Sequence, residues 1–297
     1  MKEQKSELFE NIEFNLTVNG KVHFEIFQDS RRYVAPHWHD ALEIISITDG
    51  QLLVNVEGNQ YLLKEGDCIV LPPGSVHSTL STTGNSSQLL QIPVDAFSEC
   101  MGPLDMTRII CDPLTGNPDS QRCLDRIRAL LRKIMEFRKS SEPAAGLRCG
   151  SLVLEIIYQV YLGFSDSEDK PVHSAARYRN RERMAAVTSY TEAHYNEPIS
   201  LEDVAAELHL QVNYFCHVFK ENTGMTYLQY LNEYRLGKIY QDLIETDTPL
   251  KYLLERHGFT NYKLFRRMFS DRFGTTPGDV RRTAGSSFYL ESQAKNI

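Results

Sequence analysis

Four residues in the last third of the chain return at a single offset: Phe215, Phe219, Gly224 and Thr226 recur fifty positions later as Phe265, Phe269, Gly274 and Thr276. A fixed period of that length marks a repeated supersecondary unit. Each copy reads as a short helix, a tight turn and a second helix, Leu201 to Leu208 then Val212 to Asn222 in the first and Leu250 to His257 then Tyr262 to Phe273 in the second. Two short helices joined in this way form a helix-turn-helix, and the spacing predicts two of them. The flanks agree. Ser200 is a good N-cap with Asp203 at the third helical position, and longer helices are predicted from about Arg181 to Tyr195 and from Tyr227 to Ile244.

The second helix of each copy carries the chemistry. In the second copy Leu264, Phe265, Met268 and Phe269 share one face, while Lys263, Arg266 and Arg267 share another. The apolar face must pack on the preceding helix, which leaves the cationic face to enter a major groove, where Arg and Lys donate to guanine O6 and N7 or to phosphates. A basic face on a lone surface helix is usually no more than a solvated one. The repeat weighs against that, because it sets Asn213, Cys216 and His217 at the equivalent place in the first copy. Composition conceals the feature. The net charge of −7 over 297 residues speaks against a nucleic-acid partner until it is divided: residues 1–178 hold 17 Lys+Arg and 24 Asp+Glu, residues 179–283 hold 14 of each, and Asn261 to Arg272 has a local excess of +3.

Ahead of the repeats the pattern changes. From Val22 to about Ile92, short runs rich in Val, Ile, Leu and Tyr are separated by turn signals at Asp49-Gly50, Glu57-Gly58-Asn59, Glu65-Gly66-Asp67 and Pro72-Pro73-Gly74, which predicts a β-sandwich or small barrel. Leu124, Ile127, Leu131, Ile134 and Met135 then recur at helical spacing, and a second apolar helix is predicted from about Leu147 to Phe164. Residues 165–178 combine acidic and small residues with a proline and read as a linker. The expected organisation is a β domain over 1–118, a helical pair over 119–164, the linker at 165–178, a helix-turn-helix domain over 179–285 and a tail at 286–297.

Six cysteines at 68, 100, 111, 123, 149 and 216 include no CxxC pair, so neither a zinc ribbon nor a disulfide framework is indicated, and reduced thiols in a cytoplasmic protein are expected. The opening MKEQKSELFE has no apolar centre for a secretory signal. No membrane partner is expected either, since the most apolar stretch, Leu152 to Phe164, is interrupted by Glu155 and Gln159.

Over nearly its full length the chain resembles the AraC family of bacterial transcription regulators. The resemblance is carried by LEDVAAELHLQVNYFCHVFKENTGMTYLQYLNEYRLGKIYQDLIETDTPL followed by HGFTNYKLFRRMFSDRFGTTPGDVRR, and most specifically by Gly258, Phe259, Phe265, Phe269, Gly274 and Pro277. It implies a seven-helix DNA-binding domain whose two recognition helices enter successive major-groove segments, about one turn or ~34 Å apart. The family's base-reading positions match Asn213, Cys216 and His217 in the first unit and Tyr262, Lys263, Arg266 and Arg267 in the second. Three positions depart from the pattern: Leu254 replaces a small residue, His209 a turn glycine and Gln211 a serine N-cap.

The resemblance extends to the amino-terminal half, where PHWHDALEIISITDG and GDCIVLPPGSVH look like the two motifs of a cupin barrel. His37, His39 and Glu43 share parity on a strand and are predicted to project to one face, with His77 supplying a fourth group. Three imidazoles and a carboxylate would suit Fe, Mn, Zn, Ni or Cu. Against a metal, Arg31 replaces the glycine usual before the first motif and Ser81 an asparagine, so the expectation is a ligand-contacting or structural polar cluster without a cofactor, and a metal site is the alternative. Trp38, the single tryptophan, is expected in a core or as a wall of the effector pocket.

The fold class expected is therefore α+β, a cupin-like β-barrel with two following helices and an all-α domain with two helix-turn-helix units. The resemblance implies that the barrel binds a small effector, often a carbohydrate or related metabolite, and that helices at 121–138 and 147–164 join two copies as a homodimer. Partners implied are double-stranded promoter DNA and, for an activator, RNA polymerase. The runner-up is a metal-dependent cupin enzyme, such as a dioxygenase or isomerase, fused to a DNA-binding tail. The sequence shows no Ser/His/Asp triad, phosphate-binding glycine loop or paired-carboxylate hydrolase motif, and no enzyme is expected.

Overall fold

The computed structural model describes residues 10–15, 21–30, 32–56, 59–81, 83–96, 116–138, 142, 144–164 and 174–283. Arg31, Cys100, Cys111, the tail at 286–297 and most of the expected linker lie outside the described residues. Eight described strands, β1 (Glu10–Asn15), β2 (Lys21–Ser30), β3 (Tyr33–His37), β4 (Ala41–Val56), β5 (Asn59–Lys64), β6 (Cys68–Leu71), β7 (His77–Leu80) and β8 (Asn85–Pro93), join in one sheet of order β1-β2-β8-β4-β7-β3, with β5 and β6 also paired to β4. Helices α1 (Pro118–Arg138) and α2 (Ala145–Phe164) follow, then α3 (Ser174–His194), α4 (Leu201–Glu207), α5 (Val212–Thr223), α6 (Tyr227–Glu245), α7 (Leu250–Arg256), α8 (Tyr262–Phe273) and a last helical segment at 277–283.

The chain divides into two compact units. The first comprises residues 1–31, 39–75 and 83–174, and the second comprises Arg32–Trp38, Val76–Thr82 and residues from Ala175 onward.

In the first unit β4 is the organising strand, because both of its faces are buried. Leu42 and Ile44 join Val70, Leu90 and Ile92 under α1 and α2, while Ile45 and Ile47 join Val54, Leu63, Ile69 and Leu71 on the opposite face. A strand covered on both sides reads as a continuous apolar run, which is why residues 41–47 show no polar alternation except at Glu43 and Ser46. The helices close one of these cores with Leu124, Ile127, Leu131 and Ile134 from α1 and Val153, Ile156, Ile157 and Val160 from α2. By length and composition alone α2, twenty residues at a mean hydropathy of 1.2, is long and apolar enough to cross a membrane, which the interruption by Glu155 and Gln159 was expected to prevent. Glu155 is its only acidic residue, and Gln159 does not interrupt it: the amide is fully buried and donates to Glu155 at 2.8 Å. One face of α2 lies in the core of this unit. Burial also accounts for the cysteines: Cys68, Cys123 and Cys149 are buried free thiols, and burial pushes Cys68 up to about 12.

In the second unit every residue of the sequence repeat has the same task in both copies. Phe215 and Phe265 are at most 1% exposed, and Phe219 and Phe269 at most 2%, so the pairs form the two helical cores. Gly224 and Gly274 end α5 and α8 in the left-handed region, at φ 72° and 64°. Thr226 then caps α6, accepting from the Gln229 N–H, and Thr276 accepts from the Asp279 N–H at 3.2 Å at the start of the last helical segment. Helix α3 begins at Ser174, so residues 174–178 of the expected linker are helical; Ala175, Ala176 and Arg177 are strong helix formers.

The two helix-turn-helix turns differ. In the second, Gly258 adopts φ 66°, and a Cβ there would stand 2.6 Å from the Asn196 carbonyl oxygen. In the first, His209 takes the left-handed conformation at φ 53°, the one non-glycine residue among those described to do so. The first turn therefore carries a cost the second avoids, of roughly 1–2 kcal/mol for an L-residue. Gln211 makes no side-chain cap on α5, whereas Asn261 caps α8 through the Leu264 N–H at 2.9 Å. Leu254 is buried, at 8% exposure.

These turns yield a paired stability prediction. His209→Gly is expected to stabilise the helical unit by up to about 1 kcal/mol, and Gly258→Ala to destabilise it by more than about 1 kcal/mol through the left-handed cost and the Asn196 contact together. In thermal unfolding each kcal/mol corresponds to about 4–8 °C for a unit of this size, so the two midpoints should move in opposite directions.

Candidate nucleic-acid interface and effector pocket

Helix α8 is held by Phe265, Phe269 and Phe273, buried at successive turns of one face. The opposite face presents Lys263, Arg266 and Arg267, all exposed, and Tyr262 is 53% exposed at the first turn. Among the described residues none of these three cations is in an ion pair. Ser270, exposed and one turn beyond Arg266, continues the same face and escaped the charge-based reading, although its i+4 spacing points to it. Arg272 does not belong to this surface. Its guanidinium meets both oxygens of Glu233, at 2.8 Å and 3.1 Å, so the +3 counted along the sequence overstates the cationic face by one charge.

Helix α5 leaves Asn213 and His217 exposed and Cys216 half-buried. His217 lies 3.9 Å from Glu221 on the next turn, so this face is polar and close to neutral. Tyr214, 48% exposed between them with Arg183 over its ring at 5.7 Å, is an aromatic group the sequence reading did not include. The two helices thus differ in chemistry: α8 offers charge and forked donors for guanine and phosphate, and α5 offers an amide, an imidazole and a thiol suited to base edges.

His37, His39 and Glu43 do not share one strand, which corrects the parity argument. His37 ends β3, the chain bends through Trp38 to Asp40, and Glu43 lies on β4. Two pairs are formed, His37 with His77 and His39 with Glu43. The His37 Nδ1 is 3.1 Å from the Ala35 carbonyl, to which it donates, so its Nε2 is left as an acceptor or ligand. The His37 and His77 rings stand edge to face at 4.2 Å. Glu43, 3% exposed, lies 2.8 Å from His39 Nε2 and accepts from Gln91 at 2.7 Å. Gln91 faces Glu43 directly across the β4–β8 ladder, and its signal in the sequence was a lone polar residue between Leu90 and Ile92.

Trp38 packs, partly buried, against the core that contains Met184, Phe215 and Tyr227, one of the two places expected for it. Three imidazoles and a carboxylate could hold a transition metal, and the same groups could bind the hydroxyls of an organic ligand.

Known proteins match both halves of the chain. The model for an AraC-like ligand binding domain matches residues 22–157, and a helix-turn-helix domain model matches residues 204–283. The multiple antibiotic resistance protein MarA of Escherichia coli is 30% identical over 107 residues, 35% of this chain and 84% of that protein. The transcriptional activator RhaS of Klebsiella pneumoniae is 23% identical over 252 residues, covering 83% of this chain and 87% of its own length. The regulator YdeC of Bacillus subtilis is 22% identical over 263 residues, 85% of this chain and 87% of that protein.

The exposed face of α8 generates a second prediction. Lys263→Ala and Arg267→Ala are each expected to weaken specific duplex binding by about 1–3 kcal/mol where they contact bases, and to relax sequence preference at the positions they read. A mobility-shift titration against a selected site and its point variants checks both. Unchanged affinity and preference in both proteins would remove α8 as a reading helix.

Proposed function

Because the chain belongs to the AraC family of transcription regulators, we propose that it is a cytoplasmic, non-enzymatic regulator that binds promoter DNA as a homodimer through α5 and α8 and responds to an effector held by His37, His39, Glu43 and His77. An AraC-like ligand binding domain followed by a helix-turn-helix domain supports a ligand-responsive transcription regulator. The observation that carries the reading is the repeated pair of recognition helices, each buried on a phenylalanine face and open on a polar one. For the pocket, the polar groups support a hydroxyl-rich ligand such as a carbohydrate or related metabolite, since Glu43 and Gln91 form the kind of paired acceptor and donor that a diol engages. Where the regulated promoter is activated, RNA polymerase is the further partner.

Support for a dimer comes from α2. Its inner face is in the core, but Leu147, Leu154, Tyr158 and Leu162 are 81%, 42%, 55% and 53% exposed, at spacings that put them on one stripe. An apolar stripe of this length on a helix is what a coiled-coil-like contact between two copies buries. A second reading of the pocket is favoured by the chemistry of its four donors: a divalent transition metal held by His37, His39, Glu43 and His77, where it would polarise an oxygen ligand.

Leu154→Glu with Tyr158→Glu is expected to yield a monomer in sedimentation and to lower operator affinity about a hundredfold, the loss of avidity, while leaving the base preference intact. A wild-type monomer would refute the dimer. For the pocket, metal analysis of the purified protein separates the readings. Stoichiometric metal that disappears in His77→Ala establishes the metal site; its absence from wild type leaves the pocket to an organic effector, and His77→Ala should then abolish the effector response without weakening DNA binding.

A further inference from the structure

A groove of about 590 Å³ opens between α7, the turn at 258–260 and the first residue of α8, wholly within the helical unit. That is the size of a small-molecule site, which is mostly apolar with a few placed polar groups. The apolar lining is held by the core. Leu254 and Phe259 are buried, and Leu250, one turn before Leu254, is half-buried. The Phe259 ring stands edge-on to Phe265 at 5.5 Å, and the Tyr262 ring stacks on Phe265 at 6.3 Å. Tyr262 is thus supported by the core on one side while 53% of it stays exposed. An aromatic wall anchored in this way receives a second ring at little cost in side-chain freedom.

The polar groups are two charges of opposite sign. Lys251 and Glu255, both exposed, line the groove one helical turn apart on α7. Residues four apart on a helix are neighbours, and Lys and Glu at that spacing can close on each other. These two do not: among the described residues neither side chain is in an ion pair or a hydrogen bond. Their order accounts for it, since the stronger pair has the acid on the N-terminal side and this one runs the other way. The groove therefore offers an ammonium and a carboxylate together beside an apolar floor. A ligand with one charge is attracted by one of them and repelled by the other, whereas a zwitterion satisfies both.

We propose that this groove binds a free aromatic α-amino acid, its carboxylate on Lys251, its ammonium on Glu255 and its ring against Leu254, Phe259 and Tyr262, and that the bound amino acid competes with DNA for Tyr262. The competition rests on the reading of α8 as a DNA-binding helix; the binding does not. Control of this kind is contained in the helix-turn-helix itself. Ligand and duplex claim the same side chain, so each lowers the affinity of the other by the same factor.

The experiment titrates the full chain with L-phenylalanine by calorimetry, with phenylacetate and phenethylamine as the two halves of the zwitterion. Saturable binding of L-phenylalanine is expected, and each half should bind at least about tenfold more weakly. Lys251→Met and Glu255→Gln, both at exposed positions, should each weaken L-phenylalanine about tenfold, and Lys251→Glu with Glu255→Lys should recover most of the loss, because the zwitterion can reverse. No binding at millimolar concentration overturns the proposal, as does either half binding as tightly as L-phenylalanine. Binding that His77→Ala abolishes and the two α7 variants leave intact puts the amino acid elsewhere and overturns it too. With a duplex site selected from random sequence present, L-phenylalanine affinity should fall at least about fivefold, and saturating L-phenylalanine should lower duplex affinity by the same factor. Independent binding of the two overturns the competition. A wild-type protein that selects no duplex overturns the reading of α8 instead, and the titration without DNA still decides the site.

Discussion

The helical unit depends on α6 as the shared wall of two small cores. Neither repeat has enough side chains to close a core alone; each leans its phenylalanines on tyrosines of α6. Tyr227 meets Phe215 and Phe219 at 5.6 Å from the first repeat, and Tyr240 stacks on Phe273 at 4.3 Å from the second. Thirteen residues of helix separate Tyr227 from Tyr240, about 20 Å at the helical rise, and that distance fixes how far apart the two units are held. Truncating one buried phenylalanine costs about 3–5 kcal/mol, a large share of the 5–15 kcal/mol that stabilises a domain of ordinary size. The spacing of the reading helices is therefore as rigid as the packing on α6, and the Gly and Thr of each repeat do no more than turn the chain back onto it.

That logic explains which features were legible in the sequence. The repeat was, because its Phe, Gly and Thr have identity-specific tasks: a ring in a core, a left-handed cap, a hydroxyl on an N-terminal amide. The exposed cations at 263, 266 and 267 were, because helical periodicity alone places them opposite Phe265 and Phe269. The local charge count included Arg272, since its position on α8 says nothing of Glu233, thirty-nine residues earlier, which claims it. Gly237 carried no signal at all. A helix-interior glycine is unexplained until Ala35 is seen beside it, and no local pattern connects residue 35 with residue 237.

The pocket shows a different limit. Parity along a strand was the wrong frame for His37, His39 and Glu43, since the chain bends between the first and the last. What brings Glu43 to the cluster is β4, whose alternate residues enter two cores. Glu43 is in phase with Ile45 and Ile47, so it faces inward, and a buried carboxylate must find donors; Gln91 and His39 supply them. Trp38, at the bend, packs against the helical core. Motif residues adjacent in sequence can belong to different cores, and only the bend decides which.

Charge sets how the two reading helices must be used. With Arg272 tied to Glu233, α8 offers three exposed cations, and α5 offers a histidine already close to Glu221. Each phosphate neutralised contributes a slope of about −0.9 in log affinity against log salt, so one chain gains only a few such terms. A chain with net charge −7 gains nothing from long-range attraction to DNA beyond this local patch and has to overcome repulsion elsewhere. Affinity must then come from contacts to bases and from the number of reading helices that dock together. Two chains joined through α2 would present four, and a small change in how each pair is oriented would alter all four contacts at once. A weakly charged reader is in this way the kind that an effector can control, because geometry, not bulk electrostatics, holds it on its site.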